Sequence, residues 1–235
     1  MRKCYKVAVL IDGAFFLKRY PKLNVNASKL TAKEMAEHLH QLAMKHVGKN
    51  NDLYRIFYYD CCPLQKKFHN PVSGRIMDFQ KDPRSFFRLE LFEELKRMRK
   101  VALRLGQLKE NANWLIDSRH TKQLLNGSLT IQEIQDQDVY LDIRQKGVDM
   151  KIGVDIATLA YKKLVDRIIL VAGDTDFVPA SKLARMEGID FMLDPLWNPI
   201  DKKLLEHVDG VYSIIPKPDR TMLQSEVKDG KGIAA

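Results

Sequence analysis

Two continuous apolar runs, residues 6–11 (KVAVLI) and 167–172 (RIILVA), constrain the fold more than any other feature of the chain. Each is short and rich in β-branched residues, and each ends in a turn marked by Gly and Asp. That pattern belongs to strands buried on both faces, as in a parallel sheet. The first run ends in Asp12-Gly13, and the second is followed by Gly173-Asp174-Thr175-Asp176.

Between and after them the periodicity alternates. Helical spacing is predicted over 28–46, 84–99, 149–164 and 178–187, with strands at 53–59, 101–108 and 190–193. A short helix at 201–207 and a strand at 211–215 close the pattern. Short helices are also predicted near 117–125 and 130–135. Residues 61–83, with Pro63, Pro71, Gly74 and Pro83, read as an ordered loop or lid. The expected fold class is α/β: a mainly parallel central sheet covered by helices on both faces. One domain is expected over 1–215, with an elaborated loop and helix segment at about 61–145. Residues 216–235 read as a flexible tail.

In such sheets the functional crevice lies beyond the carboxyl ends of the strands. Asp12, Asp174 and Asp176 stand at two such ends, and Asp149 opens a helix, where the dipole favours an anion. Each alone can be read as a turn former or helix cap. If the two strands are neighbours, the acids converge. Crowded carboxylates repel one another unless a cation sits among them. All-oxygen donors suit Mg2+ or Mn2+ rather than zinc, and such an ion can activate water and fix a phosphate oxygen. The chemistry expected is phosphodiester hydrolysis.

Four further residues rank below these. Asp155 lies about 120° from Asp149 around the helix, and Lys151 offers it a surface ion pair. Thr175 can present its hydroxyl to a phosphate or cap a helix. Lys146 and Lys151 flank Asp149 and can reach a phosphate or simply face solvent.

A net charge of +9 favours a polyanionic partner but names no site. Between residues 81 and 122 there are eleven Lys or Arg against six Asp or Glu, with Phe86, Phe87, Phe92 and Trp114 interleaved. A single-stranded RNA track is compatible with that mixture, although Phe87 also fits an apolar helix stripe and Trp114 a core cover. His69 and His120 lie in the same stretch without ligand spacing. Cys4, Cys61 and Cys62 are an odd number without zinc spacing and read as reduced thiols in a cytoplasmic protein. No stretch reaches membrane-spanning length. There is no dinucleotide, nucleoside-triphosphate or nucleophile-elbow motif. A homodimer is compatible with this reading, though no pattern marks its surface.

Three pieces, VLIDG at 9–13, QKGVDMKIGVDIATLA at 145–160 and ILVAGDTDFVPASKLARMEGI at 169–189, give the chain a resemblance to the NYN domain family, in its LabA-like or DUF88 branch of the PIN-like nucleases. The resemblance implies a three-layer α/β/α fold and magnesium- or manganese-dependent cleavage of RNA. The family's acids fall on Asp12, Asp149, Asp174 and Asp176. Its helix aspartate falls on Asp155 and its Ser/Thr on Thr175. Many members carry Asn where this chain has Phe15, which removes an amide but no carboxylate. Alternatives to a ribonuclease are a non-catalytic RNA-binding adaptor and a structure-specific DNA nuclease.

Overall fold

The protein is described by a computed structural model over residues 4–108, 113–143 and 145–217. The proposed tail, apart from its first two residues, lies outside the described residues. β1 (Lys6–Asp12) runs directly into α1 (Gly13–Leu23), followed by α2 (Ala32–Val47) and β2 (Asp52–Cys61). Next come β3 (Lys67–His69), β4 (Ile76–Asp78), α3 (Pro83–Arg97), β5 (Val101–Leu108), β6 (Asn113–Ile116) and α4 (Ser118–Leu125). β7 (Val139–Asp142), β8 (Gln145–Lys146), α5 (Val148–Tyr161), β9 (Arg167–Val171) and α6 (Val178–Met186) follow. β10 (Asp190–Asp194), α7 (Lys202–Leu205) and β11 (Gly210–Val211) complete the order.

The central sheet runs β11-β10-β9-β1-β2-β5-β8. Six of its strands are parallel, and β8 pairs antiparallel on the β5 edge. β1 and β9 are neighbours, in register from Val7↔Arg167 to Ile11↔Val171. The condition for bringing the aspartates to one edge is therefore met.

Strand periodicity sorts the core into two layers. Val7, Val9, Ile11, Ile56 and Tyr58 pack with Leu39, Leu91 and Leu95 under α2 and α3. Ala8, Leu10, Phe57, Tyr59, Ile168 and Leu170 pack with Ile152, Ile156 and Ala184 under α5 and α6. Burying each Val, Leu or Ile among them contributes roughly 1.5–3 kcal/mol. Helices cover both faces of β1, which is why its sequence is a continuous apolar run. Local signals fix the helix ends. Thr31 and Glu34 close a capping box on α2, and Gly48, at φ 73°, ends it.

Several details differ from expectation. α1 was hidden because Gly13 and Pro21 disguise its pattern, yet Asp12 caps it directly. Gly13 is needed for room more than for a turn. A Cβ there would lie 2.4 Å from Cζ of the buried Tyr58 ring. The segment expected as loop contains the β3–β4 hairpin, and a second hairpin, β6–β7, flanks α4. The helix expected near 130–135 is a single 3-10 turn at Ile131–Glu133, and the last strand is only Gly210–Val211.

Candidate active site

The alternation that orders the core also aims the acids. Asp12 follows Ala8 and Leu10 on the side of the sheet covered by α5. Its Oδ1 accepts the Phe15 backbone N–H at 3.0 Å, capping α1. Burial pushes its carboxyl up to about 6, and the charges of Asp149 and Asp60 push the same way. Backbone N–H groups of Phe15 and Ala14 oppose the rise without cancelling it.

Asp149 sits in the first turn of α5, which starts from Gly147 at φ 81°. Partial desolvation, then the charges of Asp174 and Asp176, raise its carboxyl above the usual range. Asp174 caps the 3-10 turn Thr175–Phe177, its Oδ1 accepting the Asp176 N–H at 3.1 Å. Phe177 anchors that turn in the core, while Asp174 and Asp176 face solvent. Electrostatic coupling thus links Asp12 to Asp149, and Asp149 to the Asp174 turn. Among the described residues, no ion pair reaches any of these four carboxylates.

The convergence is looser than a closed cage. Among the described residues, no three His, Cys, Asp or Glu side chains are grouped tightly enough to hold an ion. The donor chemistry still fits Mg2+ or Mn2+, because such ions are commonly held by one or two carboxylates, with waters and substrate phosphates completing the shell. Burial first, and the neighbouring carboxylates second, raise Asp12 and Asp149, and a bound cation would offset both.

Asp155 is placed differently. It receives the Tyr59 hydroxyl at 2.8 Å and Arg104 Nε at 2.9 Å, so its partner is Arg104 rather than Lys151. Lys146 on β8 and Lys151 on α5 are exposed, and Thr175 is half-buried in the turn between Asp174 and Asp176.

Asp60 was missed, although it stands at the end of β2 just as Asp12 ends β1. Its side chain is wholly buried on the opposite face, bound to Arg88 Nη2 at 2.7 Å, the Cys61 N–H at 2.7 Å and the Tyr58 hydroxyl at 3.1 Å. The basic track of 81–122 is also reduced. Arg88, Lys96, Arg97 and Arg104 are spent in ion pairs within the chain. Phe92 is in the core, and Trp114 lines an apolar groove with Leu115, Leu125 and Ile131.

Phe15, the residue in place of the expected amide, has a packing role. A Cβ on Gly173 would meet the Phe15 ring at 2.5 Å and Asn198 Nδ2 at 3.2 Å. The ring therefore connects the Asp12 turn to the Asp174 loop. Asn198 ends a turn in which its N–H donates to the Pro195 carbonyl at 2.8 Å. The central residues, Leu196 and Trp197, have φ 47° and 58°. This conformation favours Gly or Asn and costs other residues about 1–3 kcal/mol each. Buried Asp194 supports it by accepting the Leu196 N–H and the Ser213 hydroxyl, each at 2.8 Å, while His46 Nε2 lies 2.8 Å from its other oxygen. Arg19 donates to the Leu196 carbonyl at 3.0 Å.

The NYN domain family model matches residues 90–196, a stretch that contains Asp149, Asp155, Asp174 and Asp176 but begins after Asp12. No curated protein matches the chain. A solved protein of unknown function from Vibrio parahaemolyticus is similar at 13% identity, covering 91% of this chain and 95% of that one, with a TM-score of 0.44. That likeness is too distant to bear on fold or activity. Among the described residues no helix is long and apolar enough to cross a membrane.

Proposed function

We propose, taking as premise that the chain is a NYN-domain protein of the PIN-like nuclease superfamily, that it is a divalent-metal-dependent endoribonuclease acting on single-stranded RNA. The observation that carries the reading is the set of aspartates at the carboxyl edge of β1 and β9 that no ion pair among the described residues reaches, with Asp12 raised to about 6. Mg2+ or Mn2+, when bound, would supply an activated water and charge stabilisation on the scissile phosphate.

Asp12, Asp149 and Asp174 are the residues proposed to hold the ion, with Asp176 at its margin. The Phe15 N–H fixes Asp12 in orientation, and the Phe15 ring on Gly173 holds the Asp174 loop beside it. Thr175 offers a hydroxyl between the two loop acids. Lys146 and Lys151 offer cations for the substrate backbone from either side of Asp149. Asp155, already matched by Arg104 and Tyr59, orients α5 rather than binding the ion.

The test is cleavage of single-stranded and structured RNA, with a branched DNA arm, in Mg2+ or Mn2+. Asp12→Asn and Asp174→Asn should each lose at least ~100-fold, since even outer-shell changes at metal sites cost 10–100-fold. Absence of cleavage by pure wild-type protein, or equal cleavage by the variants, would remove the enzymatic reading. The open arrangement of the acids favours one alternative, an RNA-binding adaptor. Salt-sensitive RNA binding unchanged by chelation, without cleavage, would identify it.

A further inference from the structure

We propose that Trp197 is a stacking platform for a base of a single-stranded nucleic acid, set beside the carboxylate edge. The inference builds on the nuclease reading, since it names where the strand next to the scissile phosphate is gripped.

Position is the first argument. β10 and β9 are parallel, with Asp194 opposite Val171. Trp197 and Asp174 are each three residues beyond that pair, on loops leaving the same edge. The loops meet, because Asn198 Nδ2 lies 3.2 Å from where a Cβ on Gly173 would be.

Rigidity is the second. Trp197 is 41% exposed, yet its indole N–H donates to the Ile215 carbonyl at 2.7 Å. Its backbone lies in the left-handed region beside Leu196, which is fully buried and serves as the anchor. The turn therefore holds a large aromatic ring partly in solvent. An immobilised ring loses little entropy when a base stacks on it.

Charge is the third. Lys217 Nζ lies over the indole at 5.6 Å from its centroid. A base that stacks on this face displaces the mobile ammonium to the ring's edge, where it meets the nucleotide's phosphate. Stacking of this kind accepts any base, so the platform grips a strand without reading its sequence. A duplex, with its bases already stacked, has none to offer.

The experiment uses the full chain in chelator, so that binding is read without hydrolysis. A short single-stranded oligoadenylate is titrated into Trp114→Phe protein, where Trp197 is the remaining tryptophan, and its emission is followed. Fluorescence anisotropy then compares wild type, Trp197→Ala and Trp197→Phe on that strand and on a duplex of equal length. Emission should be quenched on binding. Trp197→Ala should bind the single strand roughly 5- to 150-fold more weakly, with Trp197→Phe between. Duplex binding should be unchanged. Unquenched Trp197 emission at saturation, or equal single-strand affinity of Trp197→Ala, would overturn the platform. The quench needs no change at residue 197, so it decides the matter even if the alanine variant fails to fold. Trp197-dependent binding without cleavage in metal would remove the nuclease reading and leave the platform standing. Cleavage with no dependence on Trp197 would do the reverse.

Discussion

Asp12 and Asp60 end adjacent parallel strands, one residue out of step, so they point to opposite faces of one sheet edge. On the α3 face, Asp60 is wholly buried and held by Arg88. Under α5, Asp155 is similarly matched by Arg104. On the face and edge shared by Asp12, Asp149 and the Asp174 turn, the acids meet, among the described residues, one another and backbone N–H groups, with no ion pair. The same residue type is thus used in two ways. Where the fold supplies a counterion, the carboxylate is a structural tie. Where it supplies none, the carboxylates store repulsion that an external cation can release.

The sharpest way to break this comparison is to make the two regions respond with opposite signs. Arg88→Met keeps the aliphatic stem but leaves Asp60 buried without its cation. Breaking a buried pair from one side costs about 3–5 kcal/mol. A denaturant midpoint far below that of wild type at neutral pH is expected. A loss within about 0.5 kcal/mol would show that Asp60 is not a charged tie.

Asp12→Asn should do the opposite in metal-free protein. Asn still caps α1, but it carries no charge into the acid cluster. The folded carboxyl of Asp12 is raised from 3.8 to about 6, so its stabilising contribution is full below about 4 and is lost as pH rises through 6. Relative to wild type, the variant should therefore gain roughly 2 kcal/mol at pH about 8, allowing for partial exposure, and nothing at pH about 3. Thermal melts across that range check the sign. Mn2+ should then raise the melting temperature of wild type more than that of the variant. A variant less stable than wild type throughout would mean that Asp12 is a structural carboxylate like Asp60.

What could be read from the chain follows from where the determining physics is local. β1 and β9 are short, doubly buried and bounded by turns, so they and their terminal acids were visible. The rule that marks Asp12 also marks Asp60, but Cys61-Cys62-Pro63 continues the strand without the glycine that announces a turn. Its pairing with Arg88 spans 28 residues and leaves no periodic trace. Asp155 showed Lys151 as a neighbour one helical turn away, while its actual partners come from β5 and β2. The hairpins of the 61–145 segment have strands of only three or four residues, too short for alternation to register. Trp197 was hidden because the two central positions of the turn that presents it, Leu196 and Trp197, carry neither the Gly nor the Asn by which such turns are recognised.

Phe15 offers the finest test of how the unmatched acids are held together. Its side chain was expected to matter for the amide it lacks, whereas its ring packs on Gly173. Gly173→Ala would bring a Cβ to 2.5 Å from that ring, so one of the two must shift. Phe15 is only partly buried and can give way, so the cost should lie near the low end for overpacking, about 1 kcal/mol. Phe15→Leu removes the obstructing ring edge and should also cost about 1 kcal/mol by itself. Because both act at one contact, the double variant should be more stable than the sum of the single losses predicts, by at least about 0.5 kcal/mol. Additive losses would show that the Asp12 turn and the Asp174 loop are held independently. The acids would then share an edge of the sheet without sharing the packing that fixes their separation.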